Sequence, residues 1–312
     1  MSYLSANFVP SIKDRVQRML LGEVVAVKDV RQSESDRQEG TVSLRVIRVI
    51  HGPGLNEGDV IDVPFDRMAD PGVRVRNRFN MWNVLRLEPG ELILIACRPG
   101  RVAGVWTGEA ARQVTSENSR ELMEVSRAYE IDEFTGPRDE KLRMLAEALV
   151  EGKDILRAFA VDYLGRRGGI SRAEGTELLI QAISSQKLTP EARLDLAVHL
   201  IGAPFFDSAK GADATNQRIV DCLVSGLIGE GDAVRQRKWA QFLSTCVLVG
   251  FSDIPDENRR IRASLVGRVP RQTSERVMTV LSSLARTEGP EFGKIAQELL
   301  QVWTEAGMEM RH

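Results

Sequence analysis

Histidine and cysteine are scarce in this 312-residue chain, at three of each. Cys97, Cys222 and Cys246 are far apart and each sits among apolar neighbours. That context favours three small buried hydrophobes, with a Cys222–Cys246 bridge as the alternative. His51, His199 and His312 offer no metal-ligand spacing, so neither a metal centre nor a cofactor is expected. No run of about 18 apolar residues occurs, which excludes a helical membrane span from the reading. The first twenty residues lack the apolar core of a signal peptide. As written, the chain reads as soluble and cytoplasmic, and as extracytoplasmic if a leader has been removed. There is no GxSxG, P-loop, HExxH or GxGxxG pattern, so no catalytic residue is nominated and an enzyme is not expected. A formal net charge of −2 gives no long-range pull toward nucleic acid or acidic lipid.

The first third of the chain is rich in strand signals. Residues 23–30 form one β-rich run and residues 41–50 a second, with Val42, Leu44, Val46, Arg48 and Ile50 expected on one face. His51-Gly52-Pro53-Gly54 and Asn56-Glu57-Gly58-Asp59 read as turns. A short strand follows over 60–65, and a continuous apolar run over 92–97 reads as a central strand buried on both faces. Residues 102–106 are the candidate last strand. Ahead of the first strand, Ser11 reads as the cap of a short helix carrying Ile12, Val16, Met19 and Leu20 on one face.

Gly22-Glu23-Val24-Val25-Ala26-Val27, Thr41 to Gly52, Gly58-Asp59-Val60-Ile61-Asp62-Val63-Pro64 and Pro89-Gly90-Glu91-Leu92-Ile93-Leu94-Ile95 together resemble the strands of the netrin-like OB barrel, the fold of tissue inhibitors of metalloproteinases. The resemblance covers the first third of the chain and implies a five-stranded closed barrel. Bacterial proteins of this type are typically extracytoplasmic, which favours the removed-leader reading. The chain departs from the inhibitor branch, because it has no N-terminal cysteine to chelate a protease zinc and no disulfide set.

From about Asn118 the apolar period changes from two to near 3.6. Helices are predicted over 120–134, 138–151, 154–166, 172–184, 190–201, 216–228, 233–250, 256–269, 274–287 and 290–306. Thr189-Pro190-Glu191 and Gly289-Pro290-Glu291 place proline at helix starts. The segment from Leu142 to Leu164 resembles a HEAT-type repeat, with a Gly152-Lys153-Asp154 turn and Ala160 and Leu164 facing inward, and residues 190–200 repeat its second helix. The expected class is α+β in two domains: a netrin-like OB β-barrel with a short N-terminal helix over 1–117, then an all-α HEAT-like array over 118–312.

Two basic groups are the candidate contact surfaces. Arg74, Arg76 and Arg78 alternate with other residues ahead of Phe79 and Trp82, where the plain reading is a solvated or intramolecularly paired loop, and the composition also suits a protein-docking hot spot and a single-stranded nucleic-acid platform. In the helices, Arg235, Arg237, Lys238, Arg259, Arg260, Arg262, Arg268 and Arg271 form the second group, with Arg259, Arg260 and Arg262 as its candidate contacts and a solvated helix face as the plain alternative. His51, the pair Glu147 and Glu151, and Trp106 to Glu109 have no partner motif. Phe205-Phe206 reads as a pair tucked under the helices or an exposed docking knob. The expected function is that of a non-enzymatic scaffold binding another protein through the helical array and the Arg/Trp loop. Single-stranded nucleic-acid binding and an enzyme with a site at the domain junction are the alternatives.

Overall fold

Five strands are built from the β-rich stretches: β1 (Arg18–Gln32), β2 (Arg37–His51), β3 (Val60–Met68), β4 (Leu92–Pro99) and β5 (Trp106–Val114). The computed structural model describes residues 18–32, 37–68, 85–100, 105–117, 119–166, 169–248, 251, 255–287 and 289–309. All strand pairs are antiparallel, in the order β3-β2-β1-β4-β5. The sheet is not closed by a ladder among the described residues. Its outer strands meet at a single parallel bridge, Asp62 to Val105.

Central position explains the apolar run of β4. Ile93, Leu94, Ile95, Ala96 and Cys97 are all buried, because β4 is paired on both sides and covered on both faces. One face of the sheet carries the core cluster, to which Leu20, Val24, Leu44, Ile61, Phe65 and Ile95 belong. Each such side chain contributes roughly 1.5–3 kcal/mol when fully buried, so register is strongly specified. The alternation nevertheless slips where β1 and β2 bulge. Val25 is skipped between the pairs Val24–Leu44 and Ala26–Ser43, and it is 36% exposed. Ile47 is skipped between Gly22–Val46 and Leu21–Arg48. Past that bulge Arg48 is exposed and Val49 packs on the core, which reverses the faces expected after Val46.

Two expectations are corrected. Arg18, Met19 and Leu20 open β1 rather than closing a helix, because Met19 and Leu20 pair with both β2 and β4 and are wholly buried. The remainder of the N-terminal helix lies outside the described residues. The last strand runs over Trp106–Val114, later than the expected 102–106, and pairs along β4 from Pro99 back to Leu92. The turn after His51 is as read: Gly58 sits at φ +92°, its N–H donates to Val46 O at 2.8 Å, and Asp59 accepts from Asn56 N at 2.7 Å.

Ten helices follow among the described residues: α1 (Arg120–Glu133), α2 (Arg138–Glu151), α3 (Asp154–Arg166), α4 (Arg172–Ser184), α5 (Pro190–Leu200), α6 (Ala214–Gly229), α7 (Ala233–Val247), α8 (Pro255–Gly267), α9 (Arg271–Thr287) and α10 (Pro290–Glu309). The caps are written in the sequence. Ser119, Thr189, Asp213 and Asp232 each accept a backbone N–H from the first turn, and Ser171 with Glu174 forms a reciprocal capping box. No described strand lies beyond Val114, so the change of period near residue 118 marks the change of structural class.

By its internal contacts the chain divides into two units, Met1–Ala160 and Val161–His312. In the first, α1 packs on β2, where His51 stacks on Tyr129 with ring centroids 4.5 Å apart and hydrogen-bonds Glu133. His51 therefore ties a strand end to a helix. In the second unit α4 pairs with α5, α6 with α7, and α9 with α10. These hairpins stack in order, α4 on α6 and α6 on α9, with α5 on α7 and α7 on α10. Phe205 and Phe206, in the α5–α6 connection, are buried, which settles their two readings in favour of packing.

Candidate functional site

Arg74, Arg76, Arg78, Phe79 and Trp82 lie outside the described residues. Arg259 is exposed on α8 and paired with Asp256 at 3.7 Å, one turn back, and Arg260 beside it is also exposed. Arg262 is half-buried, and its Nη2 donates to Leu248 O at 2.9 Å, closing the C-terminal end of α7. One of the three helical arginines is thus engaged as a helix cap. A small cleft of about 370 Å³ beside them is shared with Gln301 and Glu305 of α10. No helix of the described residues is long and apolar enough to cross a membrane, and no group of three His, Cys, Asp or Glu among them could hold a metal ion.

A larger depression, of about 420 Å³, lies between the first two stacked hairpins of the second unit. It follows from how α6 is patterned. Arg218, Asp221, Cys222, Ser225, Gly226 and Gly229 fall at i, i+3, i+4, i+7, i+8 and i+11, so they form one stripe along that helix. At about 1.5 Å per residue the stripe is roughly 16 Å long. Ile180 and Ile183 from α4, Pro190 from α5 and Trp239 from α7 supply the apolar wall. Gly226 lets Trp239 lie against α6, since a Cβ there would meet three ring carbons at 2.6–2.7 Å.

Gly226→Ala therefore sets two effects against each other. Alanine gains about 1 kcal/mol of helix propensity, while overpacking costs about 1–3 kcal/mol or more. Overpacking wins because Trp239 is 3% exposed and has nowhere to retreat. Urea titration is expected to show a net loss of about 1–2 kcal/mol, with exposed Ser225→Ala unchanged within about 0.5 kcal/mol.

Charges around the cleft are unevenly satisfied. Arg218 holds Glu177 through contacts of 3.0 Å. Glu230 is gripped by Arg235 at 3.0 Å and accepts Asp232 N, and the guanidinium chiefly keeps its carboxyl below the ordinary range despite partial burial. Asp221 accepts from Gln217 Nε2 at 3.0 Å through one oxygen. Arg193 has no carboxylate among its partners in the described residues: Nη2 donates to Ser185 O at 3.0 Å and Nε is buried without an acceptor. Burial pushes the Cys222 thiol up to about 12, so it is protonated at neutral pH and inert as a nucleophile. Cys222 and Cys246 are buried and not bridged to one another, and Cys97 is buried as well. His199 of α5 is held below its usual value by burial, with Asp195 opposing, and takes no part in the cleft lining.

A second depression of about 510 Å³ lies between α1 and α2 in the first unit. Its arginines are already engaged: Arg120 with Glu124, and Arg127 with Glu130 and Glu147. That leaves no uncompensated cation to select an occupant.

Sequence reasoning passed over Arg193 and Trp239 because nothing local distinguishes them. The α6 stripe was readable in principle as a run of small and polar residues at helical spacing. Compared with known proteins, the chain matches no family model, no curated protein and no solved structure.

Proposed function

We propose that this chain is a non-enzymatic protein-interaction protein, in which an N-terminal OB-type barrel of netrin-like connectivity precedes a HEAT-like set of helical hairpins. The strand order β3-β2-β1-β4-β5, with its outer edges meeting at a parallel bridge, supports the barrel reading. The repeated stacking of α4/α5 on α6/α7 on α9/α10 supports the HEAT-like one. The observation that carries the function is the cleft between the first two hairpins, which has an apolar wall, a stripe of small residues and an arginine with no counter-ion among the described residues. Such a groove accepts a chain segment of a partner. The Arg74 to Trp82 loop remains a second contact in this proposal. Single-stranded nucleic acid is disfavoured in the cleft by Asp221 and Glu230 on its lining.

Ser225 is exposed within the groove, so Ser225→Tyr fills it with little strain on the fold. Partner capture from extracts of the source cells is expected with the wild-type chain and lost with Ser225→Tyr at unchanged Tm. Equal capture by both chains would overturn the cleft as the binding surface.

A further inference from the structure

We infer that the cleft takes an acidic peptide segment, with a carboxylate of the partner protein at Arg193 and an adjoining apolar side chain on the Ile180, Ile183 and Trp239 wall. The inference rests on the protein-binding reading above and adds the chemistry of the occupant.

The cleft's charge balance carries it. Of its two cations, Arg218 already has Glu177 as counter-ion. Of its two anions, Glu230 already has Arg235. What is left is Arg193, a half-buried guanidinium with no counter-ion in the described residues, and the second oxygen of Asp221. Ser185 O fixes Arg193 through Nη2, so the guanidinium is held in place before any ligand arrives, and its Nε has no acceptor among the described residues. A half-buried guanidinium without a counter-ion is costly, and a charge-assisted hydrogen bond to a carboxylate offsets that cost.

Asp221 decides which anion fits. A phosphate carries about −1.5 to −2 charges and would face Asp221 and Glu230 in the same small space. A single carboxylate on a peptide carries less charge, and its backbone N–H groups suit the open oxygen of Asp221. Ser225 is exposed and a Cβ added at Gly229 would meet nothing within 4 Å, so these two positions leave room for that backbone to run along α6 beside Trp239.

Two blocked pentapeptides test this by NMR on the full chain: acetyl-Ala-Leu-Glu-Leu-Ala-amide and its glutamine counterpart. The Arg193 Nε–H resonance is assigned by its loss in Arg193→Gln. With the glutamate peptide it is expected to shift saturably in the millimolar range, together with the Ser225 and Gly226 amides. The glutamine peptide, and the Arg193→Gln chain with the glutamate peptide, are each expected to bind about tenfold or more weakly. Equal binding of both peptides to the wild-type chain would overturn the carboxylate assignment while leaving the cleft a peptide site. No perturbation by either peptide would overturn the inference outright, and the Ser225→Tyr capture comparison would then judge the proposed function separately. Should Arg193→Gln fail to fold, the two peptides on the wild-type chain still decide.

Discussion

Asn216→Leu is expected to lower the stability of the second unit by about 4 kcal/mol. Asn216 is wholly buried at the start of α6, and its amide uses its full hydrogen-bonding capacity. Nδ2 donates to Asp207 O and Gly211 O, each at 2.7 Å. Oδ1 accepts from Arg172 Nη1 at 2.9 Å and from Asp207 N at 3.2 Å. Arg172 in turn donates to Phe205 O at 3.0 Å and pairs with Asp213. The α5–α6 connection, with its buried phenylalanines, is thus pinned from inside by one amide and one guanidinium. Leucine has the same branched shape and is somewhat bulkier, so no cavity forms and the loss reports on orphaned polar groups with some overpacking. Each costs about 1–3 kcal/mol, and partial rescue by water brings the sum of four down to about the figure given. For a unit of this size the Tm falls by about 10 °C. Asn216→Asp keeps the acceptor but loses both donations and places a second carboxylate beside Asp213. It is expected to fall between the wild type and Asn216→Leu. A loss under about 1 kcal/mol for Asn216→Leu in urea titration would mean the network is ornamental.

The helices were legible because their ends are chemically marked. Ser171 with Glu174, and Thr189 ahead of Pro190, supply hydrogen-bond partners that stand in the sequence itself, so α4 and α5 begin where they are read. α9 starts at Arg271, three residues ahead of the Ser274 that apolar periodicity predicts, because Arg271-Gln272-Thr273 carries no apolar period. In the sheet, strand existence was legible and phase was not. A bulge costs one residue of alternation and leaves no mark in composition, as at Val25 and Ile47. The last strand was misplaced because Trp106–Val114 is β-poor: among its described side chains Ala111 and Val114 are the buried ones, and pairing with β4 holds it in place. Met19 and Leu20 fit a helical face and a buried strand equally well, and only pairing on both sides decides. The cleft depends on residues from four helices brought together by hairpin stacking, which local pattern cannot reveal. The charge reading of Arg262 could not foresee that Leu248 O, fourteen residues earlier, would claim it.

Glu124→Gln is expected to cost the first unit about 2–3 kcal/mol at neutral pH, and the deficit should shrink on acidification. Glu124 lies on α1, largely out of solvent, and caps the start of α3 from outside that helix. Oε1 accepts Lys153 N at 2.9 Å and Arg120 Nε at 3.2 Å, while Oε2 accepts Ile155 N at 3.0 Å and Leu156 N at 3.2 Å. A carboxylate there meets the positive end of α3 with both oxygens. Glutamine keeps one acceptor and turns an N–H₂ toward donors it cannot satisfy. Burial by itself raises the carboxyl's pKa, but the backbone N–H groups of Leu156, Lys153 and Ile155, with Arg120, outweigh it and leave it below the ordinary value. A depressed folded pKa means the contribution is complete above the unfolded carboxyl's titration and is lost as pH falls through the folded one. Wild-type and Glu124→Gln stabilities, measured by urea titration from neutral pH downward, should therefore converge below about pH 4. Glu147→Gln is the control: exposed and 4.0 Å from Arg127, it is expected to change stability by less than about 0.5 kcal/mol at any pH. Parallel curves for wild type and Glu124→Gln across that range would show that the carboxylate's charge does nothing at α3, leaving only hydrogen-bond geometry to hold the helix start.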